Sequence, residues 1–423
     1  MSYEFEIADC IRMTHSSLIR DYSNTVCGYD DGINLTIGQP DFHTPDRIKK
    51  AAEEAIEKNF TQYTDDEGLL ELRKAEAKYM KKSIHAIYDP SGEILVTCGA
   101  TQGLDAVIRT VCQKGMEVLL PAPIYCGYDP IIRFAGSVPK YFDTSKNDFE
   151  ISGEMLDHAY TTYTRCLLLA SPNNPTGSIM TENEMNDIVQ WLLKHPDVFV
   201  ISDEIYADLT FHGNHLSLAS VPALHDRVIV ISGVSKAYAM TGWRIGFVCA
   251  PRKLITEIYK VHQNEVSCAA SISQFAALEA LQSDVEPKKM CSEYEKRSVF
   301  LYHALRKLGF DVVKPEGAFY LFPSIRKFGM SSELFANCLM KEMHVGVVPG
   351  SAFSKYGEGF IRISTAASME DLQECVSRLK VFLKQLERKE NGNITDVYES
   401  GENSKYLQEL NLSRSMGVPF RRR

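Results

Sequence analysis

Apolar residues along the chain alternate between two textures. Short, nearly unbroken aliphatic runs appear at EILVT (93–97), MEVLLPAP (116–123), RCLLLASP (165–172), DVFVISDE (197–204), RVIVISG (227–233) and GFVCAP (246–251). Between some of them, apolar positions recur every three or four residues, as in 102–113 and in EMNDIVQWLLK (184–194). The first texture predicts strands buried on both faces and the second predicts amphipathic helices. Their alternation predicts a mainly parallel sheet covered by helices on both sides.

The texture changes near residue 290. A long helix is expected over 287–308. GFDVVKP, GAFYLFPSI, VGVVPG and GFIRIST then alternate with helical patterns, as in a smaller α+β lobe. The expected layout is a segment over 1–40 joining the small domain, a large domain over 41–286, a small domain over 287–390, and a tail over 391–423. The tail is polar in ENGNITDVYESGENSK, with a short helix expected at KYLQELNLSRS. No function is assigned to it.

A length of 423 residues agrees with two lobes. The net charge of −9 speaks against nucleic acid and anionic membranes as partners, and the only dense basic run is Arg421-Arg422-Arg423. The 11 cysteines include no C-x-x-C pair, so neither a zinc site nor a disulfide framework is expected. No metal is expected. MSYEFEIADCIRM does not read as a signal peptide, and no run is long enough to span a membrane. A cytoplasmic location is the expectation.

The candidate chemistry starts at GVSKAYAMTGWRIG (233–246). Lys236 follows a strand and a small-residue turn, and Arg244 stands eight residues on, between Gly242 and Gly246. A lysine there must be desolvated, which is costly unless the amine is paired or used. Desolvation also makes an amine a good Schiff-base former. The plain alternative is a surface Lys and Arg beside a sheet. Elsewhere, Asp203 in ISDEIY reads alone as a helix cap. SPNNPTG (171–177) reads alone as a turn. Thr101 in TCGATQGLDAVIRTV (97–111) reads as an N-cap or as a phosphate contact at a helix start. Arg362, inside the apolar GFIRIST, needs a partner, whether a structural ion pair or a carboxylate ligand.

The segment 233–246 resembles the pyridoxal-5′-phosphate attachment signature of class I aminotransferases, and the resemblance extends over about residues 30–385. It implies a fold-type I α/β transferase with pyridoxal phosphate as cofactor. Lys236 would form the Schiff base and carry the proton transfers, and Arg244 would hold the cofactor phosphate. Gly233 stands where some members have a phosphate-binding serine, so Ser232 or Ser235 would substitute. Asp203 would pair with the pyridine nitrogen, and Tyr206 and Asn174 would contact the phenolic oxygen. Ala100 and Thr101 would bind phosphate, and Tyr125 would stack on the ring. Arg362 would clamp the substrate α-carboxylate, with Asn174 and Gly38, in NLTIGQPDFHTP (34–45), beside it. Tyr63, in FTQYTDDEGLLELR (60–73), would reach the phosphate of a neighbouring subunit, which implies a homodimer.

Stretches 240–247, 261–281 and 316–330 are similar to the Bacillus-type aminotransferase A subgroup, associated with N-acetyl-diaminopimelate. The resemblance therefore implies transamination between an amino acid, glutamate first, and a keto acceptor. Aspartate and aromatic aminotransferases are alternatives, as is a carbon–sulfur lyase or an aminocyclopropane-carboxylate synthase on the same fold. A transcription regulator is disfavoured by the acidic charge and the short segment before residue 30. A long acidic substrate would want a second cation. Arg109 is a candidate for it, or else a solvated helix residue.

Overall fold

The computed structural model describes residues 7–389 apart from 13 and 15, so the expectations for 391–423 lie outside the described residues. Seven strands form the main sheet: β1 (Ile94–Thr97), β2 (Glu117–Ala122), β3 (Val138–Asp143), β4 (Thr164–Ala170), β5 (Phe199–Asp203), β6 (Val228–Gly233) and β7 (Gly246–Cys249). Their spatial order is β1-β7-β6-β5-β4-β2-β3. Every pairing is parallel except those of β7, which runs antiparallel to β1 and β6.

Alternate residues of these strands enter two cores. Leu119, Leu167, Val200 and Val230 pack on one face, while Leu120, Leu168, Ile201 and Ile231 pack on the other. Burial on both sides is why the runs are unbroken rather than alternating. The exception is β3 (VPKYFD), which lies at the sheet edge and keeps Val138 45 % exposed. An edge strand with a lysine in it carries no apolar run, so the sequence pattern did not mark it.

The helix expected over 102–113 spans Gly99–Val111. Its first turn is Gly-Ala-Thr, which has no apolar periodicity to read. The expected long helix spans Val285–Lys307. Farther on, GFDVVKP forms only an isolated bridge, between Asp311 and Ser324. A three-stranded antiparallel sheet places Ile361–Ser364 between Val348–Pro349 and Tyr320–Leu321. Tyr22, Val26, Ile33 and Leu35 share a core with Leu301, Phe335, Ile363 and Leu379. Ile33–Asn34 also pairs in parallel with Val345–Gly346.

This topology gathers chemistry along one edge. Open α/β sheets bind ligands outside the carboxyl ends of their strands. Asp203 ends β5, Asn174 follows β4, Lys236 follows β6, and Gly99 follows β1. Because β7 is reversed, its amino end, just after Arg244, lies at that same edge.

Candidate active site

A cavity of about 600 Å³ opens at this edge. Its walls include Gly38, Ala100, Thr101, Tyr125, Asn174, Asp203, Tyr206, Ser235, Lys236, Arg244 and Arg362. Residues from the sheet edge, the small three-stranded sheet and the segment near 38 thus meet at one place.

Lys236 is recessed in the cavity and partly accessible through it. Its Nζ donates to the Gly38 carbonyl at 2.8 Å. Enclosure by protein lowers its pKa to about 8, helped by the positive charge of Arg244, while Asp203 pulls the other way. Near neutral pH a minor but appreciable fraction of the amine is therefore in its deprotonated, nucleophilic form.

Asp203 is buried, and its Oδ2 accepts a 2.7 Å hydrogen bond from the Tyr128 hydroxyl. Its Oδ1 accepts from the Ile205 amide at 3.2 Å, so part of the turn-capping alternative is real. Burial raises its pKa to about 6, against the Tyr128 hydrogen bond that lowers it. An acid in this state lacks a cation at close range and is poised to receive one.

Arg362 is 1 % exposed. It donates to Asn174 Oδ1 at 2.8 Å and to the Thr36 carbonyl, and it lies over the Tyr320 and Phe353 rings. Its Nε has no hydrogen-bond partner. A buried guanidinium with an unused donor fits a carboxylate ligand better than a closed structural ion pair. Asn174 accepts from Arg362 through its oxygen, which leaves its amide donors for something else.

Arg244 adopts a left-handed backbone conformation, φ 56°, and donates to the Thr241 carbonyl at 2.9 Å. Its guanidinium lies against Gly99, where a Cβ would collide with it. A Cβ at Gly246 would meet the Ala100 amide. These two glycines let a cation sit beside the start of the helix Gly99–Val111, where free N–H groups favour an anion. Of the two serines weighed at this place, Ser235 lines the cavity, whereas Ser232 hydrogen-bonds with the buried carboxyl Glu76.

Two expected residues fall elsewhere. Tyr63 is 85 % exposed and does not line this chain's cavity. Arg109 pairs with Asp105 at 2.6 Å and with Glu265 at 3.5 Å, away from the cavity walls. The helix-surface alternative describes it, because an i,i+4 carboxylate already satisfies it.

Sequence reasoning also missed three residues. Tyr128 holds Asp203. Tyr320 shares a 2.8 Å hydrogen bond with the Tyr206 hydroxyl, and its own hydroxyl fills the space a Cβ at Gly38 would need. Arg20 lines the cavity from the first turn of a helix at Leu18–Val26. Tyr128 lies three residues past Tyr125 and Tyr320 lies in GAFYLFPSI, but only the tertiary contacts distinguish them from core aromatics. Among the described residues, no group of His, Cys, Asp and Glu is arranged to hold a metal, and no helix is long and apolar enough to cross a membrane.

Residues 30–379 match the family model described as aminotransferase class I and II. A probable N-acetyl-LL-diaminopimelate aminotransferase of Bacillus subtilis is 48 % identical over 366 residues, 86 % of this chain and 92 % of that protein. An aspartate aminotransferase of Pyrococcus abyssi is 37 % identical, over 90 % of this chain and 98 % of its own. The crystal structure of an aromatic aminotransferase from Pyrococcus horikoshii superimposes with a TM-score of 0.82 at 38 % identity, covering 86 % of this chain and 99 % of that one.

Proposed function

Because the chain belongs to the class I and II aminotransferases, we propose that it binds pyridoxal phosphate in the 600 Å³ cavity and transfers an amino group from an amino acid to a keto acid. The observation that carries this reading is the recessed Lys236 amine, its pKa lowered to about 8 by its surroundings, facing the same space as Asp203 and Arg362.

The residues present fit the cofactor's chemistry. The buried Asp203 carboxyl suits a protonated pyridine nitrogen, and Tyr128 orients it. Arg244, Ser235 and the helix start at Ala100 and Thr101 suit a phosphate. Tyr206 and the free amide of Asn174 suit a phenolic oxygen, and Tyr125 offers a ring face. Bound there, the cofactor supplies an electron sink that makes the substrate Cα proton acidic. Arg362 binds the α-carboxylate through the Nη donors that Asn174 and Thr36 leave free and so fixes which Cα bond faces Lys236. Lys236 Nζ then takes the Cα proton as general base and returns it as general acid. In the cofactor-free chain Gly38 holds that amine at 2.8 Å, at the wall of the same cavity.

For the substrate, the 48 % relative favours a long acidic amino acid of the N-acetyl-diaminopimelate type, with glutamate as the ordinary amino donor. A panel of donors with 2-oxoglutarate tests this. N-acetyl-diaminopimelate should exceed aspartate and phenylalanine in kcat/KM. A clear win for aspartate or an aromatic amino acid moves the chain to that substrate class instead. Turnover independent of any keto acid points to a lyase.

The protein is read as a homodimer in which Tyr63 serves the neighbouring site. Its 85 % exposure on a single chain is the supporting observation. Mixing Tyr63→Phe subunits with Lys236→Ala subunits gives heterodimers with one site carrying both lesions and one carrying neither. Activity should therefore rise on mixing. Heterodimers shown to form without such a rise contradict the shared site.

A further inference from the structure

Among the described residues, four cations and one carboxylate line the cavity: Lys236, Arg244, Arg362 and Arg20 against Asp203. The reading above uses three of the cations. Lys236, Arg244 and Arg362 are each held by protein oxygens, from Gly38, Thr241 and Asn174. The Arg20 guanidinium has no hydrogen bond or ion pair among the described residues. It is exposed, while Arg362 is 1 % exposed, so one cation sits at the mouth of the cavity and the other at its floor. Ile19 and Ile37 line the same walls, and Ser17 shares the rim with Arg20.

We infer that Arg20 is the specificity residue that binds the second carboxylate of an amino dicarboxylate whose α-carboxylate is held by Arg362. This rests on the transamination reading above. The physical argument is charge and depth together. A cavity with this excess of positive charge still has a cation to spare once a phosphate and one carboxylate are placed. A guanidinium can take a carboxylate with two parallel hydrogen bonds, and the Ser17 hydroxyl can add a third. The floor-to-mouth separation favours a long substrate, with its apolar methylenes against the isoleucines. A monocarboxylic amino acid leaves Arg20 hydrated at the rim at little cost.

The test uses the holoenzyme with Arg20→Gln and Arg20→Lys. Calorimetry measures the binding of unreactive succinate, glutarate, adipate and butyrate, and kinetics give kcat/KM for glutamate and for alanine. In Arg20→Gln, adipate and glutarate should weaken about 10- to 100-fold. The ratio of glutamate to alanine kcat/KM should fall in the same range, and Arg20→Lys should recover part of both. Wild-type affinity for adipate in Arg20→Gln overturns the proposal, as does an equal loss for butyrate. A wild-type protein that transaminates nothing overturns the function proposed above instead, and the dicarboxylate binding still judges Arg20.

Discussion

Lys236→Ala is expected to lose transamination by about 10⁴-fold or more, because in the proposed function one amine serves as attachment point, general base and general acid. Cofactor retention should survive in part, since Arg244, Ser235, Asp203 and the helix start line the cavity independently of Lys236. Borohydride reduction should fix cofactor to Lys236 in the wild-type protein and leave the variant unlabelled. The pH dependence follows from the surroundings of the amine. Its pKa is lowered to about 8, so the neutral fraction rises with pH and levels off above that value. The rate at which cofactor-free protein takes up pyridoxal phosphate covalently should rise with pH through a midpoint near 8 and flatten above it. A plateau placed two pH units higher means the amine is not desolvated as described. Normal turnover by Lys236→Ala removes the aminotransferase reading altogether.

The lysine and its strand were readable because a small-residue turn after a buried strand and a lysine that must be desolvated both leave local marks. Arg362 was readable for a related reason. A charge inside an apolar strand must be satisfied, and the sequence shows the anomaly without showing the partner. Tyr128 and Tyr320 were not readable in the same way. A tyrosine in an apolar stretch is ordinary packing until its hydroxyl is found within 2.7 Å of Asp203 or 2.8 Å of Tyr206. Arg20 shows the same limit from the opposite side. It belongs to an exposed helical turn, and only tertiary folding brings that turn to the cavity mouth. Arg109 was the candidate second cation that the sequence offered, beside its reading as a solvated helix residue. A partner four residues away, Asp105, had already taken it. Strand β3 escaped because an edge strand needs no continuous apolar run.

Asp203→Asn is the other large effect expected, and it separates stability from catalysis. In the cofactor-free protein Asp203 titrates near 6, above its usual 3.8, chiefly because burial penalises its anion. A carboxyl whose pKa is raised by folding costs stability once pH exceeds the unfolded value, and the full cost is present above the folded one. Between pH 4 and about 6, the cofactor-free wild type should therefore lose a few kcal/mol that the asparagine variant keeps. The melting temperature of the cofactor-free variant should equal or exceed wild type at pH 7, and this advantage should shrink toward pH 4. Activity should move in the opposite direction. An amide keeps one acceptor oxygen, for Tyr128 or for the Ile205 amide, but carries no charge to hold a proton on a pyridine nitrogen, so kcat should fall on the order of 10²- to 10³-fold. The cofactor's stabilising effect on the melting temperature should shrink as well. A variant that is less stable without cofactor at pH 7 and nearly wild-type in kcat would make Asp203 a turn cap and nothing more.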